Sequence, residues 1–274
     1  MRYFIKLSNK YWVVIPAAGI GSRMGGNCPK QYLPIQGKTI LQHTLERFNL
    51  PIIAGIVVCI ADYDSYWDKL TLPMPIIRAA GGKERCHSVL NGLQVLQQHA
   101  QPNDWVLVHD AARPCVKQID IENLINQLAN HPVGGLLALP VRDTMKRSNA
   151  DVEVVKTVER EGLWHALTPQ MFRLELLFNA LRTVLDKNEL VTDEAQAVDK
   201  SSNSNAIFNL TLIDTSISVN IVSITSKATI AIGNILQGTR ILNAAFKRVS
   251  TGISVSSNIV SITCKASCSI GYIV

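Results

Sequence analysis

Short apolar runs and segments of helical spacing alternate along the first 139 residues. The apolar runs are rich in β-branched residues and contain no alternating polar positions, which is typical of strands buried on both faces. They are residues 12–15, 55–60, 76–79, 105–108 and 136–139. Between them, apolar residues recur three or four positions apart, as at Leu41, Leu45 and Phe48. This alternation predicts a three-layer α/β fold with a mostly parallel, twisted sheet.

Residues 140–170 break the alternation. The segment is polar and mixed in charge, and residues 148–151 read as a turn. We expect a projecting β-arm here, so that residues 1–139 and 171–199 form the core.

Residues 200–274 differ from the rest of the chain because Ser, Ile, Thr and Asn dominate them. The stretch 220–228 returns in nearly the same form at 258–266, but two copies are too few to predict a solenoid. Sequences of this composition have high β propensity and a risk of aggregation. We leave this tail unassigned, and a replaced or frameshifted C-terminus is our first interpretation, ahead of a functional appendage.

The formal net charge of +6 is concentrated in the same tail. From Lys200 onward the chain has six Lys or Arg and one Asp, which accounts for +5 and leaves +1 for the first 199 residues. Since no basic stripe with interleaved aromatic residues precedes the tail, we expect no nucleic-acid partner.

Six cysteines are scattered along the chain without a C-x-x-C pair, which is typical of reduced thiols in the cytoplasm. No apolar run approaches the roughly 18 residues of a membrane span, so we expect no membrane partner. The basic residues Arg2, Lys6 and Lys10 before an apolar stretch also resemble a secretory signal. A buried first strand explains that stretch more economically, because the loop after it continues the pattern.

The first apolar run leads directly into a glycine-rich loop with two cations, Arg23 and Lys30. Its glycines are Gly19, Gly21, Gly25 and Gly26. Glycines let the backbone approach a ligand and turn N–H groups toward it, while the cations attract phosphate oxygens. The pattern favours a triphosphate site over an ordinary loop with solvated charges. It is neither a dinucleotide fingerprint nor a Walker loop, since Met24 and Tyr32 stand where those motifs need glycine.

Asp110 follows the apolar run 105–108 after a single histidine, His109. At the carboxyl end of a parallel strand its carboxylate would face the phosphates, where it would be a suitable Mg²⁺ ligand. The alternative interpretation is an ion pair with Arg113. The two are compatible if Arg113 orients the carboxylate and also contacts the acceptor.

Several further blocks stand out. They are Pro-Ala-Ala-Gly-x-Gly-x-Arg-Met at 16–24, Pro-Lys-Gln-Tyr at 29–32, Gly-Gly-Lys-Glu-Arg at 81–85 with Ser88, His-Asp-Ala-Ala-Arg-Pro at 109–114, Pro-Val-Arg-Asp-Thr-Met-Lys at 140–146, Leu-Trp-His-Ala-Leu-Thr-Pro-Gln at 163–170 and Thr-Asp-Glu-Ala at 192–195. Together they resemble the 2-C-methyl-D-erythritol 4-phosphate cytidylyltransferase family, over about residues 12–198. The resemblance implies a Rossmann-like nucleotidyltransferase fold.

The resemblance also implies an activity, the transfer of CMP from CTP to methylerythritol phosphate with Mg²⁺, in a homodimer whose arms complete the neighbouring sites. In such a transfer an acceptor phosphate oxygen attacks the α-phosphorus of CTP in line and pyrophosphate leaves, so catalysis is positioning plus charge neutralisation. The acceptor phosphate is already anionic. No general base is therefore needed, and we interpret His109 as structural.

Site residues follow from the same resemblance. The catalytic cations would be Arg23, Lys30 and Arg160. The nucleotide would be bound by Pro16, Ala17, Ala18, Gly19, Gly21, Gly82, Arg85, Ser88 and Asp110, and the last would also hold the metal. The acceptor would be bound by Asp110, Arg113, Thr144, Arg160 and Thr168. Arg160 would act on the partner subunit's substrate, although without the resemblance an exposed charge on the arm is the better interpretation.

Two other interpretations stay open. A ribitol-phosphate or other polyol-phosphate cytidylyltransferase would share the loop, although such enzymes tend to have Ala-Gly-Gly where this chain has Pro16, Ala17 and Ala18. The second is an inactive or aggregation-prone chain with an altered C-terminus. We find no family-like loop, strand and final helix in the tail, and no lysine between Lys200 and Lys227 to match the family's sugar-phosphate lysine.

Overall fold

The computed structural model describes residues 9–19, 28–201 and 209–212, together with four short strands farther along the chain. It divides into two compact units, Met1–Ile213 and Asp214–Val274. The first unit contains the elements that the sequence patterns predict. The second contains the four short strands.

The strands of the first unit are β1 (Tyr11–Pro16), β2 (Pro34–Ile35), β3 (Lys38–Thr39), β4 (Ile53–Ile60), β5 (Ile77–Ala80), β6 (Trp105–Val108), β7 (Gly134–Pro140), β8 (Met145–Ser148), β9 (Val154–Val158), β10 (Trp164–Arg173) and β11 (Asn209–Leu212). The helices are α1 (Ile40–Arg47), α2 (Arg85–Leu96), α3 (Gln118–Leu128), α4 (Leu174–Asp186) and α5 (Glu194–Ser201). Each of the five predicted apolar runs coincides with a strand, and the bounds of the strands differ from the predicted ones by at most two residues.

Seven of these strands form the central sheet, in the order β11-β7-β10-β6-β1-β4-β5. Neighbouring strands are parallel except where β10 pairs with β6 and β7, where they are antiparallel. The prediction of a mostly parallel α/β sheet is confirmed. Because β1, β4, β5 and β6 run in the same direction, their carboxyl ends meet at one edge of the sheet.

Both faces of the sheet are covered by helices, which produces the three predicted layers. Val14 and Val57 pack into a core with α2, α4 and α5. Their chain neighbours Val13 and Val58 point to the opposite face and pack into a second core with α1 and α3. Successive side chains of a strand alternate between faces, so strands buried on both sides need the uninterrupted apolar sequences seen here.

The segment that we predicted as an arm, residues 140–170, contains two different structures. Strands β8 and β9 form an exposed antiparallel hairpin outside the central sheet. Residues 164–170 lie instead in β10, where residues 164–166 and Gln170 pair with β7 in the sheet. They belong there because side chains such as Leu167 and Gln170 are buried against the core.

The tail also begins within the core unit. Helix α5 extends to Ser201, and β11 pairs in parallel with β7 at the edge of the central sheet. The second unit contains β12 (Asn220–Ser223) paired with β13 (Ala231–Asn234), and β14 (Ile253–Ser256) paired with β15 (Ile259–Ile262). Strands β12 and β15 lie within the two copies of the near-repeat. In the described part of the chain, no helix is both long and apolar enough to cross a membrane.

Candidate active site

Three segments that leave the carboxyl ends of the sheet form the candidate site: residues 17–19 after β1, 81–82 after β5 and 109–113 after β6. Backbone hydrogen bonds continue the sheet into each of them. Ala17 N donates to Cys59 O at 2.8 Å, Gly81 N donates to Ile60 O at 2.7 Å and His109 N donates to Val14 O at 3.1 Å. The starting points of the three segments are therefore hydrogen-bonded into the sheet. This is the edge where open α/β sheets bind their ligands.

The glycine-rich loop is fixed at its base by a buried glutamine. Gln31, only 3 % exposed, donates from Nε2 to Ala17 O at 2.7 Å and to Gly19 O at 3.0 Å. It lies in a short 3-10 turn that Lys30 begins, and Lys30 itself is exposed. The structure thus brings Lys30 beside the segment that contains Pro16, Ala17, Ala18 and Gly19. Gly21, Arg23, Gly25 and Gly26 lie outside the described residues.

Ser88 braces the turn that follows β5. The Gly82 N–H donates to Ser88 Oγ at 2.9 Å, and the Ser88 hydroxyl donates in turn to Glu84 O at 3.3 Å. Ser88 is buried in the first turn of α2. Its hydroxyl is therefore used within the protein, where it shapes the backbone at Gly82.

Asp110 lies between two arginines. Its Oδ1 accepts from Arg85 Nε and its Oδ2 accepts from Arg113 Nε, both at 2.9 Å. Burial opposes the charged form of Asp110, but the two guanidinium groups outweigh it and lower the pKa of the carboxyl. The ion pair with Arg113 that we considered as an alternative is present, and Arg85 adds a second.

Glu194 completes this charged network from α5. Its carboxylate accepts from Arg85 Nη1 at 2.6 Å and from Arg85 Nη2 at 3.1 Å. Burial raises the pKa of Glu194, and Arg85 offsets the rise only in part. Burial likewise opposes the charge on Arg85, but the two carboxylates outweigh it and raise the pKa of the guanidinium. The sequence analysis does not predict Glu194 as a site residue, although Glu194 lies in the Thr-Asp-Glu-Ala block at 192–195.

His109 is a buried, neutral connector. Its Nε2 lies 2.9 Å from Arg113 O and its Nδ1 lies 3.0 Å from Thr168 Oγ1. Burial lowers the pKa of His109 to about 4, so the ring is uncharged near neutral pH. Because a carbonyl can only accept, we assign the proton to Nε2, and the Thr168 hydroxyl then donates to Nδ1. This geometry supports a structural role for His109 and brings Thr168 beside Asp110.

The two arm residues lie apart from this cluster. Thr144 and Arg160 flank the exposed hairpin, and Arg160 Nη1 donates to Arg142 O. Among the described residues, neither side chain makes a hydrogen bond or ion pair with Asp110 or Arg113.

Comparison with known proteins places this site in a family. The family model "2-C-methyl-D-erythritol 4-phosphate cytidylyltransferase" matches residues 11–217. The chain belongs to this family. The match reaches beyond residue 198, where the sequence analysis ended the resemblance, and it includes β11.

Individual relatives agree with the family match. A 2-C-methyl-D-erythritol 4-phosphate cytidylyltransferase of Vibrio vulnificus (strain YJ016) is 54 % identical over 189 residues, which cover 68 % of this chain and 80 % of the relative. One of Pseudomonas putida (strain GB-1) is 52 % identical over 195 residues, covering 70 % and 83 %. The crystal structure of the Francisella tularensis enzyme superposes with a TM-score of 0.62 at 38 % identity, covering 70 % of this chain and 86 % of that one.

Proposed function

We propose that this protein transfers a cytidylyl group from CTP to 2-C-methyl-D-erythritol 4-phosphate, giving 4-diphosphocytidyl-2-C-methyl-D-erythritol and pyrophosphate. The observation that carries the proposal is the family match over residues 11–217, which includes the glycine-rich loop, Asp110, the arm and Glu194. The relatives described above are named for methylerythritol phosphate. Their names disfavour a ribitol or other polyol phosphate as the acceptor.

The transfer is a single displacement at the α-phosphorus of CTP. A phosphate oxygen of the acceptor forms the new P–O bond, the bond to the β-phosphate oxygen breaks, and pyrophosphate leaves with the electron pair. No proton has to be removed from the attacking oxygen near neutral pH. The neutral, fully hydrogen-bonded His109 is consistent with a reaction that uses no general base.

Cations must offset the repulsion between two highly charged anions. Lys30 and Arg23 would act on the triphosphate, and Lys30 is exposed at the end of the loop. Arg113 would act on the acceptor, because only its Nε is used in the hydrogen bonds of the described residues. Its terminal nitrogens then offer a planar fork of the kind that binds phosphate oxygens in pairs. Thr168 would lie beside the same acceptor.

The nucleoside would lie between the segment from Pro16 to Gly19 and the turn at Gly82. Both walls consist of small residues and backbone groups, which leave room for a pyrimidine and a ribose. Ser88 would act by holding Gly82, and Arg85 by holding Asp110. Gly21, outside the described residues, would extend the same wall.

Asp110 fits the role of Mg²⁺ ligand. Among the described residues, no group of three or more His, Cys, Asp or Glu side chains could hold a metal ion alone. Mg²⁺ in nucleotide sites commonly takes one or two carboxylates and completes its shell with phosphate oxygens and water, so a single aspartate suffices. When bound, the ion would neutralise charge on the triphosphate and on the departing pyrophosphate.

The hairpin of β8 and β9 suits an interface between two copies of the chain. Met145, Val152, Val154 and Val155 are 38 %, 82 %, 65 % and 62 % exposed on the hairpin and its turn. Groups of exposed apolar side chains mark interaction surfaces. In a homodimer through this arm, Thr144 and Arg160 would reach the partner's acceptor.

We also infer a cytoplasmic location, since Cys28, Cys59, Cys86 and Cys115 are free thiols.

Release of pyrophosphate tests the reaction. The full chain, purified and supplied with CTP and Mg²⁺, should release it when methylerythritol phosphate is added and much more slowly with ribitol 5-phosphate. A preference for ribitol 5-phosphate, or no release with either acceptor, would refute the proposed function.

Light scattering after size exclusion tests the dimer. Replacing Val154 and Val155 together by Asp should shift a dimer to a monomer. Ile119→Asp, which alters an exposed aliphatic residue on α3, is the matched control and should leave the dimer intact. A monomeric wild-type chain would overturn the proposed assembly.

A further inference from the structure

Glu194 is buried and forms an ion pair with Arg85, which also contacts Asp110 in the candidate site. It is the first residue of α5 and only 1 % exposed. Both of its oxygens are occupied by one side chain, Arg85, at 2.6 and 3.1 Å. Two carboxylate oxygens facing the two terminal nitrogens of a guanidinium form the strong, planar pairing known from arginine–carboxylate contacts.

The pairing determines which part of Arg85 faces Asp110. With its terminal nitrogens on Glu194, Arg85 offers Asp110 only Nε, at 2.9 Å from Oδ1. The second oxygen of Asp110 accepts a single bond from Arg113 Nε. A carboxylate can accept about four hydrogen bonds, so each Asp110 oxygen retains capacity for a further ligand.

Arg85 would have a different preferred geometry without Glu194. The guanidinium would gain most by turning its terminal nitrogens onto the nearest carboxylate, which is Asp110. Both oxygens of Asp110 would then be taken by one arginine, and Arg113 would lose its partner.

We propose that Glu194 is a positioning residue of the active site, because it occupies the paired nitrogens of Arg85 and thereby leaves the second oxygen of Asp110 to Arg113, the arginine proposed to act on the acceptor. The inference rests on the proposed function, since that function gives Asp110 its role. Glu194 touches no substrate itself and acts through Arg85.

The start of α5 is held firmly enough to do this. Gln170 on β10 accepts from Ala195 N at 2.9 Å and donates to Asp193 Oδ2 at 3.0 Å, so it fixes both chain neighbours of Glu194. Asp193 Oδ1 accepts from Gln196 N at 2.9 Å and closes the first turn of the helix. Glu194 therefore approaches Arg85 from a fixed position.

Glu194→Gln tests the idea because it keeps the shape and removes the charge. We expect kcat/KM for cytidylyl transfer to fall roughly a hundredfold, the scale expected when a catalytic group is misplaced by about 1 Å. Glu189→Gln is the matched control, since Glu189 pairs with Lys200 on the surface near the same helix. It should retain wild-type activity.

A second variant separates positioning from simple loss of structure. Lysine has no paired nitrogens, so Arg85→Lys in the Glu194→Gln background cannot enclose Asp110. The double variant should therefore be more active than Glu194→Gln alone. A double variant that is equally or less active would overturn the inference, because a purely structural contact would only be damaged further.

Crystal structures provide a readout that does not depend on turnover. In Glu194→Gln, or in Glu194→Met if the former does not fold, the negative charge is gone and both terminal nitrogens of Arg85 should lie on Asp110. Arg85 unchanged in position would refute the inference.

If the wild-type chain releases no pyrophosphate, the proposed function fails while this structural test still stands. If the wild type is active and Glu194→Gln equals it, only the inference fails.

Discussion

Gly81 and Ala18 pack so closely that a Cβ atom added to Gly81 would lie 2.2 Å from the Cβ of Ala18. Ile60 O, at 3.1 Å from the same added atom, closes the other side. Real Cβ atoms do not approach other atoms to 2.2 Å, so this position accepts no side chain. The contact joins the segment after β1 to the turn after β5, which are the two walls of the proposed nucleoside site.

Gly81→Ala should therefore separate the two walls. We expect a loss of about 1–3 kcal/mol in the free energy of unfolding, as for other overpacked positions, and a higher KM for CTP. Adding Ala18→Gly removes the nearest obstacle and should restore part of both. Denaturant unfolding and CTP titrations of the wild type and the two variants measure this. Wild-type CTP affinity in Gly81→Ala would show that the walls do not bind the nucleoside.

Lys30→Met should reduce turnover. If Lys30 follows the charge that develops on the phosphates, its loss costs about 3–4 kcal/mol of barrier, or roughly a hundred- to thousandfold in kcat. The matched control is Lys38→Met, an exposed lysine on β3 whose partner is Glu46. Steady-state kinetics with saturating substrates decide the matter. A kcat within a factor of about two of wild type would exclude Lys30 from the reaction.

The sheet and the outline of the site were readable from the sequence because both are local patterns. The run at 105–108 coincides with β6, and the strand ends place the segments at Ala17, Gly81 and Asp110 at one edge. Burial on both faces demands uninterrupted apolar residues, and a strand end is visible wherever such a run stops.

Other features depend on long-range contacts that no local pattern encodes. Arg85 and Glu194 are 109 positions apart, and only folding shows that they pair. Nothing in the sequence distinguishes Gln31 from its neighbours. Only the structure shows that its side-chain amide donates to Ala17 O and Gly19 O. Strand β11 has four residues in a Ser- and Asn-rich stretch, too short a run to distinguish from its surroundings, and its pairing with β7 defines it.

Mixed dimers test whether Arg160 serves the partner subunit. Arg160→Ala and Asp110→Asn should each be nearly inactive alone. If Arg160 acts across the interface, a mixed dimer has one site with both changes and one site with neither. Random mixing makes half of the dimers mixed, so activity should return to about a quarter of wild type.

The control for this mixing experiment uses two changes in residues that the same protomer contributes to a site. Asp110→Asn mixed with Lys30→Met should give no recovery, because both residues lie in one protomer's core. Absence of recovery in the first mixture would place Arg160 in its own subunit's site. Recovery in the control would mean that Asp110 and Lys30 do not act in the same protomer's site.

His109 should make the folded protein less stable in acid. Burial lowers its pKa from 6.5 to about 4, so the unfolded chain binds a proton that the folded chain excludes. The contribution of neutral His109 is complete above pH 6.5 and is lost as the pH falls from there toward 4. The full difference corresponds to at most about 3 kcal/mol.

Between pH 6.5 and 4 the free energy of unfolding should therefore fall less steeply in His109→Asn than in wild type, whatever the absolute stability of the variant. His99→Asn, a change at an exposed histidine, should keep the wild-type slope. Parallel curves for wild type and His109→Asn in urea unfolding would mean that His109 can be protonated within the fold, and its assignment as a neutral connector between Arg113 and Thr168 would have to be abandoned.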